Sequence, residues 1–279
     1  MGLFLLTGCN STWFYRPNDK TYKALSTISP YPPYFVQSRS GNRLHTLLIP
    51  AQITSPKKNT LVIHFHGNGA NITWTSQRYG WLTEHGYDLL VFDYSGYGKS
   101  SGRPTPKTTV QDAQTLLDHA LALQKAHGWK NIILMGTSLG GTVLLQALSQ
   151  YPTETSSFGL VFIDSSFLSY SDVAAAMIRK GYGGFAFDWI GRLLINDHHA
   201  PIRHIHQIPD IPMIVAHCED DQLIDSELGH ALFKQLPVTS KHFWLLNDCQ
   251  HAKGFTNKHP DHQRELVILF NSIRNSYHP

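Results

Sequence analysis

A serine framed by glycines, Gly136-Thr137-Ser138-Leu139-Gly140, ends one apolar run and opens a second that is compatible with a helix. G-x-S-x-G at a strand-to-helix corner holds its serine on a strained turn with the hydroxyl exposed, because small residues two positions either side let neighbouring backbone pass close by. The amide after the serine, on Leu139, opens the helix, where the helix dipole favours donation to a developing oxyanion. One corner thus carries a nucleophile and half of an anion hole, the parts needed for acyl transfer through a covalent intermediate. The competing reading is a glycine-rich turn with a solvated serine, so the flanking chain must decide.

The elements around that corner alternate. Runs of β-formers at 34–37, 44–49, 60–65, 87–93, 131–135, 158–164, 213–216 and 242–246 read as strands, and 39–42 as the turn of a hairpin between the first two. Helical signals lie at 72–85, 108–127 and 139–150. This rhythm predicts an α/β protein with a mostly parallel sheet covered on both faces, in which sites lie at the carboxyl ends of strands. Residues 165–209 break the rhythm with two short helices, 173–180 and 187–194, and read as a small cap inserted above the sheet. Phe167, Tyr170, Tyr182, Phe185, Phe187 and Trp189 are candidate walls for an apolar substrate there, or ordinary cap packing.

The 279 residues, 42% of them apolar, suit one large core. A formal charge of +3 with scattered basic residues argues against a nucleic-acid partner. No apolar stretch reaches the length of a membrane-spanning helix. Residues 1–33 read as a short apolar segment followed by an extended surface arm, and 34–279 as the folded domain. Leu6-Thr7-Gly8-Cys9 resembles a bacterial lipobox, which implies lipidation of Cys9 and a place in the cell envelope; no Lys or Arg precedes it, and a cytoplasmic location is the alternative. Asp197, His198 and His199 with His204 and His206 could form a metal site, but without a spaced set of further ligands they read as solvated loop residues. Gly98-Lys99-Ser100 imitates a phosphate loop, but the glycine required five residues earlier is Asp93.

Taken together, HFHGNGAN, FDYSGYGKSSGRP, GTSLGG, AHCEDDQLID and DCQHAKGF, in that order across 34–279, resemble the α/β-hydrolase superfamily, and within it the BEM46-like and depalmitoylase-like serine hydrolases. The resemblance implies an eight-stranded sheet and a Ser-acid-His order. It implies an acid after the seventh strand: the pattern H-G-x-x-D laid on His217 to Asp221 selects Asp221 over its neighbour Asp220, with Cys218 in place of the glycine and Asp225 where proline is common. It implies a base after the last strand, His251, ahead of His259 and His262, and a second oxyanion donor in the His66-Gly67-Asn68 loop, the Asn68 amide, paired with that of Leu139. The family's sheet order makes the strands ending at Cys218 and Cys249 neighbours, so a disulfide there is an open question of geometry. The expected activity is cleavage of an acyl ester or thioester of a small or lipid-like substrate, with no cofactor and no metal. The alternatives are a peptidase-like hydrolase and a non-catalytic envelope lipoprotein that kept the fold.

Overall fold

Runs of apolar residues with two buried faces build the centre of the molecule. The computed structural model describes residues 13–52, 59–152, 155–181 and 187–276. Cys9, Tyr182 and Phe185 lie outside the described residues. Eight strands form one sheet: β1 (Tyr34–Gln37), β2 (Arg43–Ile49), β3 (Thr60–Phe65), β4 (Asp88–Phe92), β5 (Asn131–Thr137), β6 (Phe158–Asp164), β7 (Met213–Cys218) and β8 (Lys241–Leu246). Their spatial order is β1-β2-β4-β3-β5-β6-β7-β8. β2 is antiparallel to both β1 and β4, and every other pairing is parallel. This is the α/β-hydrolase fold.

Alternation sorts the side chains into two layers. In β5, Ile132 and Leu134 join one apolar cluster while Ile133 and Met135 join the other. The second layer is closed by helices α1 (Ile72–Tyr79), α2 (Trp81–Glu84) and, from the chain's end, Pro260–Ser276. The first is closed by α3 (Pro106–His127) and α4 (Leu139–Ser149). Each Val, Leu, Ile or Phe side chain so buried is worth about 1.5–3 kcal/mol relative to exposure, which is why the central strands need no polar face.

Local chemistry sets several boundaries away from their expected places. The helix expected over 72–85 breaks at Gly80, a poor helix former, into α1 and α2. α3 starts two residues before the expected 108, because Thr105 and Thr108 form a capping box and Pro106 suits the first helical position. It ends on Gly128, whose φ of 71° favours glycine.

After β6 the chain forms the cap helices α5 (Tyr170–Gly181) and α6 (Asp188–Leu194), packed so closely that a Cβ on Gly191 would lie 2.5 Å from the Ala175 amide nitrogen. Asp197 is no solvated loop residue: it is buried and accepts hydrogen bonds from Ser169, the Tyr170 and Ser171 amides and the Ser171 hydroxyl, anchoring the start of α5. The arm also differs from a purely surface segment. Phe14 and Tyr15 are buried, Phe14 packing on Phe167 and Tyr170 and the Tyr15 hydroxyl lying 2.8 Å from that of Tyr170. Phe167 and Tyr170 are therefore core, whereas Phe187 and Trp189 are exposed. No helix among the described residues is long and apolar enough to cross a membrane.

Candidate active site

Ser138 sits between β5 and α4 with φ 53° and ψ −123°, a strained conformation for a residue with a Cβ. The turn is possible because of its glycines. A Cβ on Gly136 would lie 2.6 Å from the Gly141 Cα, and one on Gly140 only 2.0 Å from the Phe65 carbonyl oxygen. The serine amide donates to the Asp164 carbonyl on β6 at 2.8 Å, which pins the corner to the neighbouring strand.

The remaining partners arrive from two later strands. His251 Nε2 lies 2.8 Å from Ser138 Oγ, and His251 Nδ1 lies 2.7 Å from Asp221 Oδ2. His251 occupies the turn closed by the Lys253 amide on the Gln250 carbonyl. Asp221 is buried, and its Oδ1 accepts the Leu223 and Ile224 amides, both at 2.9 Å. Burial alone would raise its pKa, but hydrogen bonds from His217 and His251, the charge of His251 and the Ile224 amide together hold the carboxyl well below the usual carboxylate range. The stability contributed by that depression is present above the ordinary carboxylate pKa of about 3.9 and is lost as pH falls through the lower folded-state value. Asp220 is exposed and takes no part. His262 donates towards the Gly254 carbonyl and stacks on His259, so both rivals sit in a different contact set.

The loop after β3 closes on the serine from the other side. A Cβ on Gly67 would lie 3.3 Å from the Ser138 Cβ. The Asn68 side chain is tied down by the Arg16 amide at 2.6 Å and the Tyr97 hydroxyl at 3.0 Å. Neither the Asn68 nor the Leu139 amide donates to a protein carbonyl among the described residues. Asp93 braces the next loop by accepting the Ile72 amide and facing His45 Nδ1, and a Cβ on Gly98 would lie 2.0 Å from its carboxylate. The His66 ring packs on Tyr94 and Tyr97, and burial lowers its pKa, so it is a neutral brace for the loop.

Cys218 and Cys249 form a disulfide, which answers the question left open by the sequence. Cys218 ends the strand before Asp221 and Cys249 precedes His251 by two residues, so one covalent bond joins the two loops. A Cys218→Ser, Cys249→Ser double variant is expected to lose about 2–4 kcal/mol of stability. Its kcat should fall about tenfold, since small displacements of catalytic groups are costly. Thermal melts and ester turnover check this; wild-type values in both would mean the bond positions nothing.

Two supporting groups escaped the reading of the sequence. His217 Nε2 lies 2.9 Å from the Ile224 carbonyl oxygen and 3.2 Å from Asp221 Oδ2. The carbonyl can only accept, so Nε2 carries a proton; a Cβ on Gly229 would lie 2.1 Å from Nδ1. Its spacing of four residues before Asp221 was the available signal. Ser165 accepts the Ala252 amide at 3.0 Å and donates to Asp164 at 2.9 Å, linking the histidine's loop to β6. Nothing local marks it.

Comparison with known proteins follows the same lines. The family model described as Hydrolase_4, serine aminopeptidase, S33, matches residues 56–167. The chain is 28% identical over 273 residues to the uncharacterized protein YfhR of Escherichia coli O157:H7, covering 96% of this chain and 89% of that one. It is 26% identical over 215 residues to human alpha/beta hydrolase domain-containing protein 17B, covering 76% of this chain and 66% of that one. Among solved structures it resembles the Pyrococcus furiosus esterase Pf2001, with a TM-score of 0.70 at 16% identity over 94% of this chain and 98% of the esterase.

Proposed function

We propose that the chain, which has the α/β-hydrolase fold, is a serine hydrolase that cleaves acyl esters or thioesters through an acyl-enzyme. The observation that carries the reading is the continuous hydrogen-bonded chain from Ser138 through His251 to Asp221, with the Asn68 and Leu139 amides donating to no protein carbonyl among the described residues. Ser138 Oγ attacks the acyl carbon as His251 Nε2 takes its proton. Asp221 holds the imidazole with its proton on Nδ1 and stabilises the imidazolium. The Asn68 and Leu139 amides receive the oxyanion, each donor being worth about 2.7–4 kcal/mol in the transition state. As the tetrahedral intermediate collapses, the bond to the leaving oxygen or sulfur breaks and Nε2 returns its proton to that atom. Water then attacks the acyl-enzyme with the same imidazole as base, releasing the carboxylic acid.

The esterase among its structural likenesses favours oxygen esters, and the depalmitoylase-like motifs extend the reading to thioesters. The aminopeptidase named in the family description makes peptide amides the second reading. A fluorophosphonate probe is expected to add one phosphonyl group at Ser138, located by peptide mass, and a chain-length series of esters, thioesters and aminoacyl amides should rank amides last. A wild-type protein that takes no probe and turns over no acyl substrate would favour the non-catalytic alternative.

Attachment to the cell envelope through a lipidated Cys9 is part of the same proposal, supported by the LTGC tetrapeptide and by the Cys218–Cys249 bond, which suits an oxidising compartment. Incorporation of labelled palmitate should vanish in Cys9→Ser; its absence from the wild type would remove the proposal.

A further inference from the structure

A sizeable opening lies outside the three reacting side chains. It is a cavity of about 560 Å³ between α1 and the loop after β8, with Trp74, Gln77 and Arg78 on one wall and Gln250, Lys253 and Lys258 on the other. Its position follows from the chain. Asn71, which caps α1, ends the loop that carries Asn68. Gln250 and Lys253 are the first and last residues of the turn that holds His251. The cavity is thus walled by the segments next to the oxyanion loop and on both flanks of the proton donor.

Its charge is one-sided. Arg78, Lys253 and Lys258 stand against one carboxylate on the rim, Asp248. None of these three cations makes an ion pair within 4.0 Å among those described. Arg78 is also pre-positioned. Its guanidinium lies 4.9 Å from the Trp74 ring centre and 5.6 Å from that of Tyr79, and its Nε and Nη2 are buried without a hydrogen-bond acceptor among the described residues. The nearby Asp164 feels its charge but makes its hydrogen bonds to Ser165 and Tyr79. Two exposed lysines and the guanidinium around one opening give it a positive charge suited to an oxyanion.

We propose that this cavity receives the leaving group and that its preferred occupant carries a phosphate or carboxylate. The inference rests on the serine-hydrolase reading. When the acyl–oxygen or acyl–sulfur bond breaks, the electron pair stays on the leaving atom, which takes the proton of His251 Nε2. That atom must face the imidazole, and the cavity is lined by Cys249, Gln250 and Lys253, which flank His251 in the chain. An ammonium-bearing leaving group is disfavoured by the same cations.

Two measurements test the proposal. Titration of wild-type protein at low ionic strength with glycerol 3-phosphate, glycerate and glycerol should show at least tenfold tighter binding of one or both anions than of the neutral alcohol, weakening as salt is added; the two anions separate phosphate from carboxylate. Lys253→Gln with Lys258→Gln should lose that difference, and Lys253→Arg with Lys258→Arg should keep it. In turnover, a 1-acylglycerol 3-phosphate should exceed the monoacylglycerol of the same acyl chain by tenfold or more in kcat/KM, and the ratio should fall towards one in the glutamine variant. Equal binding of all three ligands, or anion binding with no preference between the esters, overturns the leaving-group assignment while leaving the hydrolase reading intact. Failure of the wild type to turn over either ester counts against the hydrolase reading itself, and the leaving-group role falls with it.

Discussion

Replacing Ser138 by alanine is expected to lower ester turnover by at least about four orders of magnitude while leaving the protein folded. Loss of the nucleophile in a comparable triad costs on the order of a millionfold in kcat, and about 10³–10⁴ of rate acceleration survives from anion binding and substrate positioning. Four decades correspond to about 5.4 kcal/mol of transition-state stabilisation. Stability should change little, because the hydroxyl's described partner is His251 Nε2 and the corner is fixed by backbone contacts to Asp164 and by the glycines around it. Substrate affinity should be nearly retained, so the loss belongs to kcat. A variant with turnover within tenfold of the wild type would remove Ser138 from the reaction.

The second large effect belongs to Asp221→Asn, and here stability should suffer with catalysis. The carboxylate meets four donors: the Leu223 and Ile224 amides at Oδ1, and His217 Nε2 and His251 Nδ1 at Oδ2. An asparagine offers one acceptor oxygen and one amino group. In one orientation its amino group faces two backbone N–H groups that cannot turn into acceptors. In the other it faces the two histidines and forces His251 into the tautomer with a bare Nδ1 and a protonated Nε2, which cannot accept the serine proton. The corresponding change in a known triad costs about 10⁴ in kcat. Each buried donor left without an acceptor costs about 1–3 kcal/mol, so the melting temperature should drop measurably in either orientation. Wild-type turnover in a folded Asp221→Asn protein would mean that the carboxylate does not orient the base. The neighbouring Asp220→Asn, being exposed, is expected to change neither quantity.

What the sequence made legible was local or periodic. The strand, glycine and helix signals around Ser138 are contiguous, so the corner could be placed before any fold was known. The alternation of strands and helices gave the layered sheet, because burial on both faces leaves a simple apolar pattern. The spacing of His217 to Asp221 needed the fold's topology to bring it opposite His251, and the family motifs supplied that topology. What stayed hidden depends on contacts with no short-range trace. Asp197 looked like part of a polar loop until four donors from residues 169–171 were found converging on it. Phe14 and Tyr15 lie in a segment without periodicity, and it is packing against distant residues such as Phe167, Tyr170 and Thr109 that makes them core. The break at Gly80 competed with good helix formers on both sides, and an overall helical pattern masks a single glycine.

The bond between Cys218 and Cys249 encloses α7 (Ser226–Gln235) and β8 in a covalent ring, with only 31 residues of sequence separating its two ends. Asp221 lies just inside the ring and His251 just outside it, so the span between them is set at the clasp and is insensitive to the contour length in between. The connection joining α7 to β8 is itself held in place, by the buried Leu236 and Val238 and by the Thr239 amide donating to Asp210.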